Sequence, residues 1–231
     1  MTSGVAPSPD ALVQRILDAL PQTQCRRCGY PHCAGYAQAV ATGAADINQC
    51  PPGGQAGADR LAQITGQAEK VLDTQFGSEG PRSVVYIDED WCIGCTLCIA
   101  ACPTDAIVGG NKRMHTVLEA YCTGCELCLP ACPVDCMKTE SASGTATGWD
   151  AWTPVQADQA RQRFAHNQAR RAQDIQESRA KRAALAEEKL ADLGAHSRIT
   201  DPRTLDHKRS VIEAAMARAR AKRALTGPPS H

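Results

Sequence analysis

The chain has few aromatic residues and no long apolar run. Phe, Trp and Tyr make up 4% of the 231 residues, which is little material for one large core. We therefore expect several small modules. No stretch approaches the roughly 18 apolar residues of a membrane helix, and the start, MTSGVAPSPD, lacks the basic and apolar regions of a signal peptide. These absences predict a cytoplasmic protein without a membrane span.

The net charge of zero conceals a division along the chain. Residues 1–140 carry 9 Lys and Arg against 15 Asp and Glu, whereas residues 141–231 carry 16 against 10. The acidic part holds all the cysteines. The acidic part and the basic tail are therefore expected to face different neighbours.

Thirteen cysteines occur, and they fall in three tight groups. Without a signal peptide, this usage indicates metal or cluster binding rather than a disulfide framework. Two of the groups repeat at a shift of 30 residues, with Gly94 on Gly124 and Pro103 on Pro133. The repeat predicts an internal duplication in which each half is strand, cluster loop, short helix, strand.

Each repeat contains the run C-x2-C-x2-C-x3-C-P, which in two-cluster ferredoxins sends its fourth cysteine to the other cluster. The run predicts two 4Fe-4S clusters with crossed ligands, so that neither half folds alone. We name the predicted ligand sets the Cys98 set and the Cys128 set. The Cys98 set is Cys92, Cys95, Cys98 and Cys132; the Cys128 set is Cys122, Cys125, Cys128 and Cys102. A pair of zinc sites is the alternative, although zinc needs only two C-x2-C pairs and no third close cysteine.

The first group, which we name the Cys33 set, consists of Cys25, Cys28, Cys33 and Cys50. Its C-x2-C-x4-C-x16-C spacing supplies the four ligands of a third 4Fe-4S cluster. The spacing alone leaves a zinc site open as an alternative. Iron-sulfur is favoured because two clusters are predicted next to it, and a third would extend an electron path.

The remaining candidate residues are given structural roles first. Cys136, the odd cysteine, is predicted to be a buried spacer beside the second ferredoxin cluster, with redox sensing as the alternative. His32 is predicted to be a polar loop residue, with tuning of the first cluster as the alternative. The other histidines, His115 among them, show no ligand spacing and are expected to be solvated. Backbone amides at Gly94 and Gly124 are expected to bond the cluster sulfurs.

These patterns together predict an α+β protein in three parts. Residues 8–76 form a small helical 4Fe-4S module with a helix starting at Ser8 and another over 58–72. A linker over 77–83 leads to a strand over 84–87 and to a duplicated, bacterial-type two-cluster ferredoxin fold over 82–140. Residues 141–231 form a basic, partly flexible tail with helices over about 158–193 and from Asp201 to about 225.

The tail allows more than one interpretation. Trp149 and Trp152 are predicted to pack its start onto the adjoining domain, with a partner anchor as the alternative. Its basic residues alternate with acidic ones, which favours solvated helices. Docking to an acidic redox partner or to anionic lipid headgroups stays open, and nucleic acid is not expected.

The cysteine-rich part resembles the B subunit of the Rnf/Rsx electron-transport complex, a membrane-associated bacterial system. The resemblance covers about residues 9–140 and rests, in order, on PQTQCRRCGYPHC, NQCPPGG, CIGCTLCIAACPTDAI and CTGCELCLPACPVDCM. It implies one 4Fe-4S cluster on the first four cysteines and two more in the ferredoxin part. Members typically begin with an apolar membrane anchor, which is not found at the start of this sequence. We therefore expect a soluble or peripheral relative at the cytoplasmic face of the inner membrane.

The predicted function is one-electron transfer by three 4Fe-4S clusters, without catalytic residues of its own. The expected partners are a redox donor and a redox acceptor protein, including other Rnf/Rsx-type subunits of a redox-driven translocase or oxidoreductase. No dinucleotide or phosphate-binding motif is present, so nicotinamide or flavin would belong to a partner. The alternative is an iron-sulfur redox sensor that uses its basic helices to contact a partner or nucleic acid.

Overall fold

The computed structural model describes residues 9–226, which divide into one compact unit up to Ala169 and a second from Arg170 onward. The α-helices are α1 (Pro9–Asp18), α2 (Cys33–Ala41), α3 (Gly54–Thr65), α4 (Leu97–Ala101), α5 (Pro154–Ala191) and α6 (Pro202–Thr226). The strands are β1 (Ser83–Ile87), β2 (Ile107–Val108), β3 (Thr116–Val117) and β4 (Met137–Ser141). The protein is therefore a mixture of helices and small sheets.

Helices α1, α2 and α3 enclose the core of the N-terminal part. Ile16 and Leu20 of the α1 segment are buried together with Leu61 of α3. The predicted first helix is confirmed, although its predicted start, Ser8, lies outside the described residues. The prediction of a helix over 58–72 is wrong in its bounds, because Gly66 adopts a left-handed φ of 71° and ends α3.

Two antiparallel pairs of strands form the sheets of the cysteine-rich repeat. Strand β1 pairs with β4 from Ser83 opposite Ser141 to Ile87 opposite Met137, and β2 pairs with β3. The predicted strand over 84–87 is confirmed. Only the first half contains the expected short helix, α4. In the second half Pro130 replaces Ala100, whose amide donates to the Thr96 carbonyl, and proline has no such donor.

The linker over 77–83 is fastened by the carboxylate of Glu79. One oxygen accepts from the Gln55 amide at 2.8 Å, and the other accepts from the Thr147 hydroxyl at 2.6 Å. A carboxylate at the start of α3 is stabilised by the positive end of the helix dipole. Gly54 permits this approach, because a Cβ there would lie 2.4 Å from the Glu79 carboxylate.

The segment after β4 is packed against the rest of the first unit, as predicted from its tryptophans. Trp149 and Trp152 are buried. The Trp149 indole donates to the Ala19 carbonyl at 3.0 Å, and the Arg60 guanidinium lies 4.2 Å from the Trp149 ring centroid. Helix α5 begins before residue 158 because the Thr153 hydroxyl accepts from the Gln156 amide, which caps the first turn.

The second unit contains the end of α5 and helix α6. The predicted cap is confirmed, since Asp201 accepts a hydrogen bond from the Thr204 amide at 2.9 Å. The Thr204 hydrogen bonds lower the pKa of Asp201. Arg220 and Glu187 form an ion pair at 2.5 Å. Helix α6 extends to Thr226, close to the predicted end at about 225. Within the described residues, no helix has the length and apolar character needed to cross a bilayer.

We predict that Trp149→Ala releases the segment that precedes α5. The loss of a buried indole costs about 3 kcal/mol, so local opening should make the Asp150 and Trp152 amides exchange about a hundredfold faster. Hydrogen exchange measured by NMR or mass spectrometry checks this. The control is Val155→Ala, because Val155 is 64% exposed. Equal exchange in the two variants would contradict the packing role of Trp149.

Candidate iron-sulfur sites

The four cysteines of the Cys33 set line one cavity in the N-terminal part. Cys25 and Cys28 lie in a loop, Cys33 begins α2, and Cys50 precedes the turn Pro51–Gly53. Burial raises the pKa of Cys33 to about 12, and the charges of Cys25 and Cys28 contribute to that rise. Burial also raises the pKa of Cys50, with repulsion from the other three sulfurs. The thiols are thus close enough to repel one another when ionised.

Two buried glutamines precede the Cys33 set, and one of them bonds the backbone of Cys33. Gln22 and Gln24 are buried, and both have left-handed backbones, with φ of 62° and 56°. The Gln24 side chain donates to Gln22 at 3.2 Å and accepts from the Cys33 amide at 2.9 Å. The spacing of the cysteines did not predict a role for these glutamines. The only sequence signal is their polarity next to buried positions.

Tyr36 and His32 fix the rest of the loop. The buried Tyr36 hydroxyl donates to the Asp46 carbonyl at 2.7 Å and accepts from the Gln49 amide at 3.1 Å, which ties α2 to the segment before Cys50. His32 lines the cavity and caps α2, since its Nδ1 accepts from the Gly35 amide at 2.9 Å. His32 therefore has two defined contacts, with the cavity and with the first turn of α2, whereas the sequence predicted only a polar loop residue.

Three sulfurs of the Cys98 set lie together, with Cys92 and Cys95 on the loop that leads into α4 and Cys98 in the first turn of that helix. Burial raises the pKa of Cys98, the Ile99 amide lowers it, and the charges of Cys95 and Cys92 raise it. Cys132 comes from the other half of the repeat. Cys136 lies between Cys132 and this loop, because its sulfur interacts with the sulfurs of both Cys132 and Cys92.

The Cys128 set combines sulfurs from both halves of the repeat. Burial raises the pKa of Cys125 to about 12, and the charges of Cys102 and Cys122 contribute to that rise. Burial also raises the pKa of Cys128, with repulsion from Cys125, Cys102 and Cys122. The structure thus places Cys102 near the three cysteines of the other half.

Backbone amides are directed at several of these sulfurs. The Ala106 amide lies 3.2 Å from the Cys102 sulfur, and the Val85 amide lies 3.5 Å from the Cys122 sulfur. Hydrogen bonds of this kind stabilise thiolates and tune the clusters they bind.

Gly94 and Gly124 have a role in the backbone that was not predicted, and the amide hydrogen bonds expected of them stay a prediction. Both have left-handed backbones, with φ of 66° and 65°. A Cβ on Gly94 would lie 2.5 Å from the Arg113 amide nitrogen, and one on Gly124 would lie 2.4 Å from the Ser83 carbonyl oxygen. The glycines are therefore required for close backbone approach. Left-handed residues recur at the same 30-residue shift at Thr96 with Glu126 and Asp105 with Asp135.

Cys136 is buried, as predicted, but it lies beside a different set. Its sulfur is 3.4 Å from that of Cys132, and it also interacts with Cys92. Both are members of the Cys98 set, so its predicted position beside the other ferredoxin cluster is wrong. Strand β4, which begins directly after Cys136, pairs with β1 of the first half. This pairing places Cys136 beside the cysteines of the first half.

His115 contradicts the prediction that it is solvated. It is 1% exposed, and its Nδ1 lies 3.2 Å from the sulfur of Cys98. The short β2–β3 hairpin folds residue 115 back onto the loop of Cys98. Spacing could not reveal this contact, because it spans 17 residues and depends on the hairpin. The only signal was a lone histidine between two predicted clusters.

The N-terminal part contacts one half of the repeat through the loops that carry cysteines. The Thr123 hydroxyl donates to the Thr23 carbonyl at 3.0 Å, and Arg27 pairs with Glu126 at 2.7 Å. The first half has Ile93 at the position that matches Thr123, and Ile93 is 59% exposed. The loop of the Cys33 set therefore lies against the loop of the Cys128 set.

The donor chemistry of all three sets fits an iron-sulfur cluster. The twelve residues supply sulfur alone, and thiolates are the ligands of 4Fe-4S clusters. Bound iron would offset the repulsion between sulfurs that, after burial, contributes to the raised pKa values of Cys33, Cys50, Cys125 and Cys128. Within residues 9–226, no group of three or more His, Cys, Asp or Glu side chains is arranged to hold a single metal ion.

Two family models match the cysteine-rich part of the chain. A 4Fe-4S dicluster domain matches residues 85–139, and a putative Fe-S cluster family matches residues 20–52. The two matches contain all twelve cysteines of the three sets. Iron-sulfur binding by both regions is thus supported independently of the geometry.

Relatives from several bacteria are named as the B subunit of an ion-translocating oxidoreductase complex. The protein of Azoarcus sp. (strain BH72) is 58% identical over 146 residues, which cover 63% of this chain and 80% of that protein. That of Thiobacillus denitrificans is 56% identical over 107 residues, 46% of this chain and 57% of the relative. One from Vibrio cholerae is 54% identical over 141 residues, 61% of this chain and 71% of the relative. This chain therefore belongs to the B-subunit family of the Rnf/Rsx ion-translocating oxidoreductase complexes.

Proposed function

We propose that this protein is an iron-sulfur electron-transfer subunit that carries three 4Fe-4S clusters. The Cys33, Cys98 and Cys128 sets would each hold one. Such a cluster supplies one-electron redox chemistry at a potential set by its hydrogen bonds and exposure. The chain's own residues hold the clusters, shield them from water and direct amides at their sulfurs.

The observation that carries the proposal is the grouping of the cysteine sulfurs. Four of them line one cavity, and Cys102 lies near Cys122, Cys125 and Cys128 of the other half. A disulfide function is disfavoured because all thirteen cysteines are free in the structure. The backbone that repeats at a 30-residue shift supports a duplicated arrangement, and the position of Cys102 near Cys125 and Cys128 supports crossed ligands.

The contact between the cysteine-bearing loops supports a relay through the protein. Thr23 lies two residues before Cys25, and Thr123 lies between Cys122 and Cys125. The hydrogen bond between these threonines places the Cys33 set next to the Cys128 set. Electron exchange falls steeply with distance, so the Cys33 set is expected to exchange electrons with the Cys128 set first.

Donor and acceptor are proposed to be redox proteins, and other subunits of an Rnf/Rsx-type complex fit this role. The relatives are named as subunits of an ion-translocating oxidoreductase complex. We propose that this chain works in the cytoplasm or at the cytoplasmic face of the inner membrane. Residues 8–76 and 82–140 would form its two cluster-bearing domains, and residues 141–231 its basic tail.

The first prediction concerns metal content. Anaerobically purified protein should contain about twelve irons and twelve acid-labile sulfides per chain, from three clusters of four. Low-temperature EPR of the dithionite-reduced protein should show interacting 4Fe-4S signals. About eight irons with one zinc would instead assign the Cys33 set a structural zinc, and zinc alone would contradict electron transfer.

A second prediction tests the crossed ligands by comparing two double variants. If Cys102 and Cys122 bind the same cluster, C102A/C122A should lose no more iron than the more damaged single variant, because both changes affect one cluster. C102A/C92A should lose iron from two clusters. Iron and sulfide analysis with EPR provides the measurement.

The matched control for these variants is Cys136→Ala, which removes a buried cysteine outside the three sets. It should retain about twelve irons. Non-additive loss in C102A/C92A, with additive loss in C102A/C122A, would show that each repeat binds its own cluster and would contradict the crossed arrangement.

A further inference from the structure

His115 is a buried histidine that contacts the sulfur of a proposed cluster ligand. It is 1% exposed, and its Nδ1 lies 3.2 Å from the sulfur of Cys98. Nothing in the repeat motif requires a histidine there. The repeat motif therefore does not explain why a histidine lies beside the Cys98 sulfur.

The backbone opposite His115 is shaped to accommodate the imidazole ring. A Cβ on Gly109 would lie 2.4 Å from Cδ2 of His115, and Gly109 has a φ of 152°, which L side chains rarely adopt. Any other residue at position 109 would displace the ring. The strand pair β2–β3 thus holds the ring against Cys98.

The chemistry of the contact fixes the direction of the hydrogen bond. A ligand thiolate has no proton, so Nδ1 must be the donor. The other ring nitrogen, Nε2, is buried and has no hydrogen-bonding partner within the described residues. A neutral imidazole has a single N–H, and only Nδ1 has an acceptor for it.

A hydrogen bond to a ligand sulfur favours the reduced cluster. The sulfur becomes more negative when an electron is added, so the N–H···S bond strengthens on reduction. Hydrogen bonds to the sulfurs are among the main determinants of cluster potential.

We propose that His115 donates a hydrogen bond from Nδ1 to the Cys98 sulfur and thereby raises the reduction potential of the cluster held by the Cys98 set. The proposal rests on the proposed function, since it needs Cys98 to be a cluster ligand. His115 acts as a positioning and tuning residue, and it does not bind iron itself.

The Cys128 set has no equivalent of this histidine. His115 lies seven residues before Cys122, so the 30-residue shift places it on Val85, which lies seven residues before Cys92. Val85 is buried, but its apolar side chain has no proton to donate to a sulfur. The Thr123 hydroxyl lies near Cys125 and lowers the pKa of that thiol, but it has a single proton, and the Thr23 carbonyl accepts that proton at 3.0 Å. His115 thus makes two otherwise similar sites unequal.

This inequality affects the direction of the relay. The Cys33 set adjoins the Cys128 set through the hydrogen bond between Thr23 and Thr123. By raising the potential of the Cys98 set, His115 favours electron transfer from the Cys128 set to the Cys98 set more than a protein without this hydrogen bond would. The segment from Cys92 to Cys98 is exposed at Ile93 and Leu97.

The test compares His115→Leu with the wild-type full-length protein loaded with its clusters. Potentiometric titration followed by EPR should show one cluster whose equilibrium constant for one-electron reduction falls about tenfold, about 59 mV. The other two potentials should not change. His115→Asn, which keeps a donor near the position of Nδ1, should restore part of the loss, and the exposed His196→Leu should change nothing.

The outcomes separate this proposal from the proposed function. If wild-type protein carries about twelve irons that cycle reversibly, but His115→Leu leaves all potentials unchanged, His115 tunes nothing and only this proposal fails. If wild-type protein carries no reversible clusters, the proposed function fails first.

A measurement without replacement of His115 covers the case in which His115→Leu fails to load. Protein labelled with ¹⁵N in histidine is reduced and studied by pulsed EPR in a His32→Asn background, because His32 lines the cavity of the Cys33 set. A ¹⁵N coupling on one cluster signal supports the hydrogen bond. Its absence contradicts the proposal.

Discussion

Repulsion among buried thiolates is the constraint on which this structure depends. Burial and neighbouring sulfurs raise the pKa values of Cys33, Cys50, Cys125 and Cys128, so the folded chain brings together groups that oppose one another when ionised. Only a cationic centre relieves that repulsion while keeping the sulfurs ionised. We therefore expect the cysteine-rich part to fold together with the binding of its proposed clusters.

Other features of the first unit help to bring the cysteine sulfurs together. Glycines with left-handed backbones allow the loops to approach neighbouring backbone, and amides such as that of Ala106 point at sulfur. With little aromatic material available, Trp149 fastens the segment before α5 to the end of α1. The two repeats then differ in what surrounds them, because one contacts the N-terminal part and the other holds His115.

Local sequence patterns predicted several helices, strands and caps of the fold. They did not predict the contacts between residues that are distant in the sequence. The strand over 84–87, helix α1 and the Asp201 cap depend on neighbouring residues and were predictable. The three cysteine sets were defined from spacing, and their ligand roles stay predictions. The contact of His115 with Cys98 depends on how a hairpin closes. The contact of Thr23 with Thr123 joins residues 100 positions apart, which no local pattern encodes.

The most direct test of the central claim is an anomalous difference map at the iron absorption edge, from crystals of the anaerobically loaded protein. Three compact four-iron peaks are predicted. One should be bound by the Cys33 set, one by the Cys98 set with Cys132 as its distant ligand, and one by the Cys128 set with Cys102. Fewer peaks, or a peak bound by Cys92, Cys95, Cys98 and Cys102 of a single repeat, would contradict it.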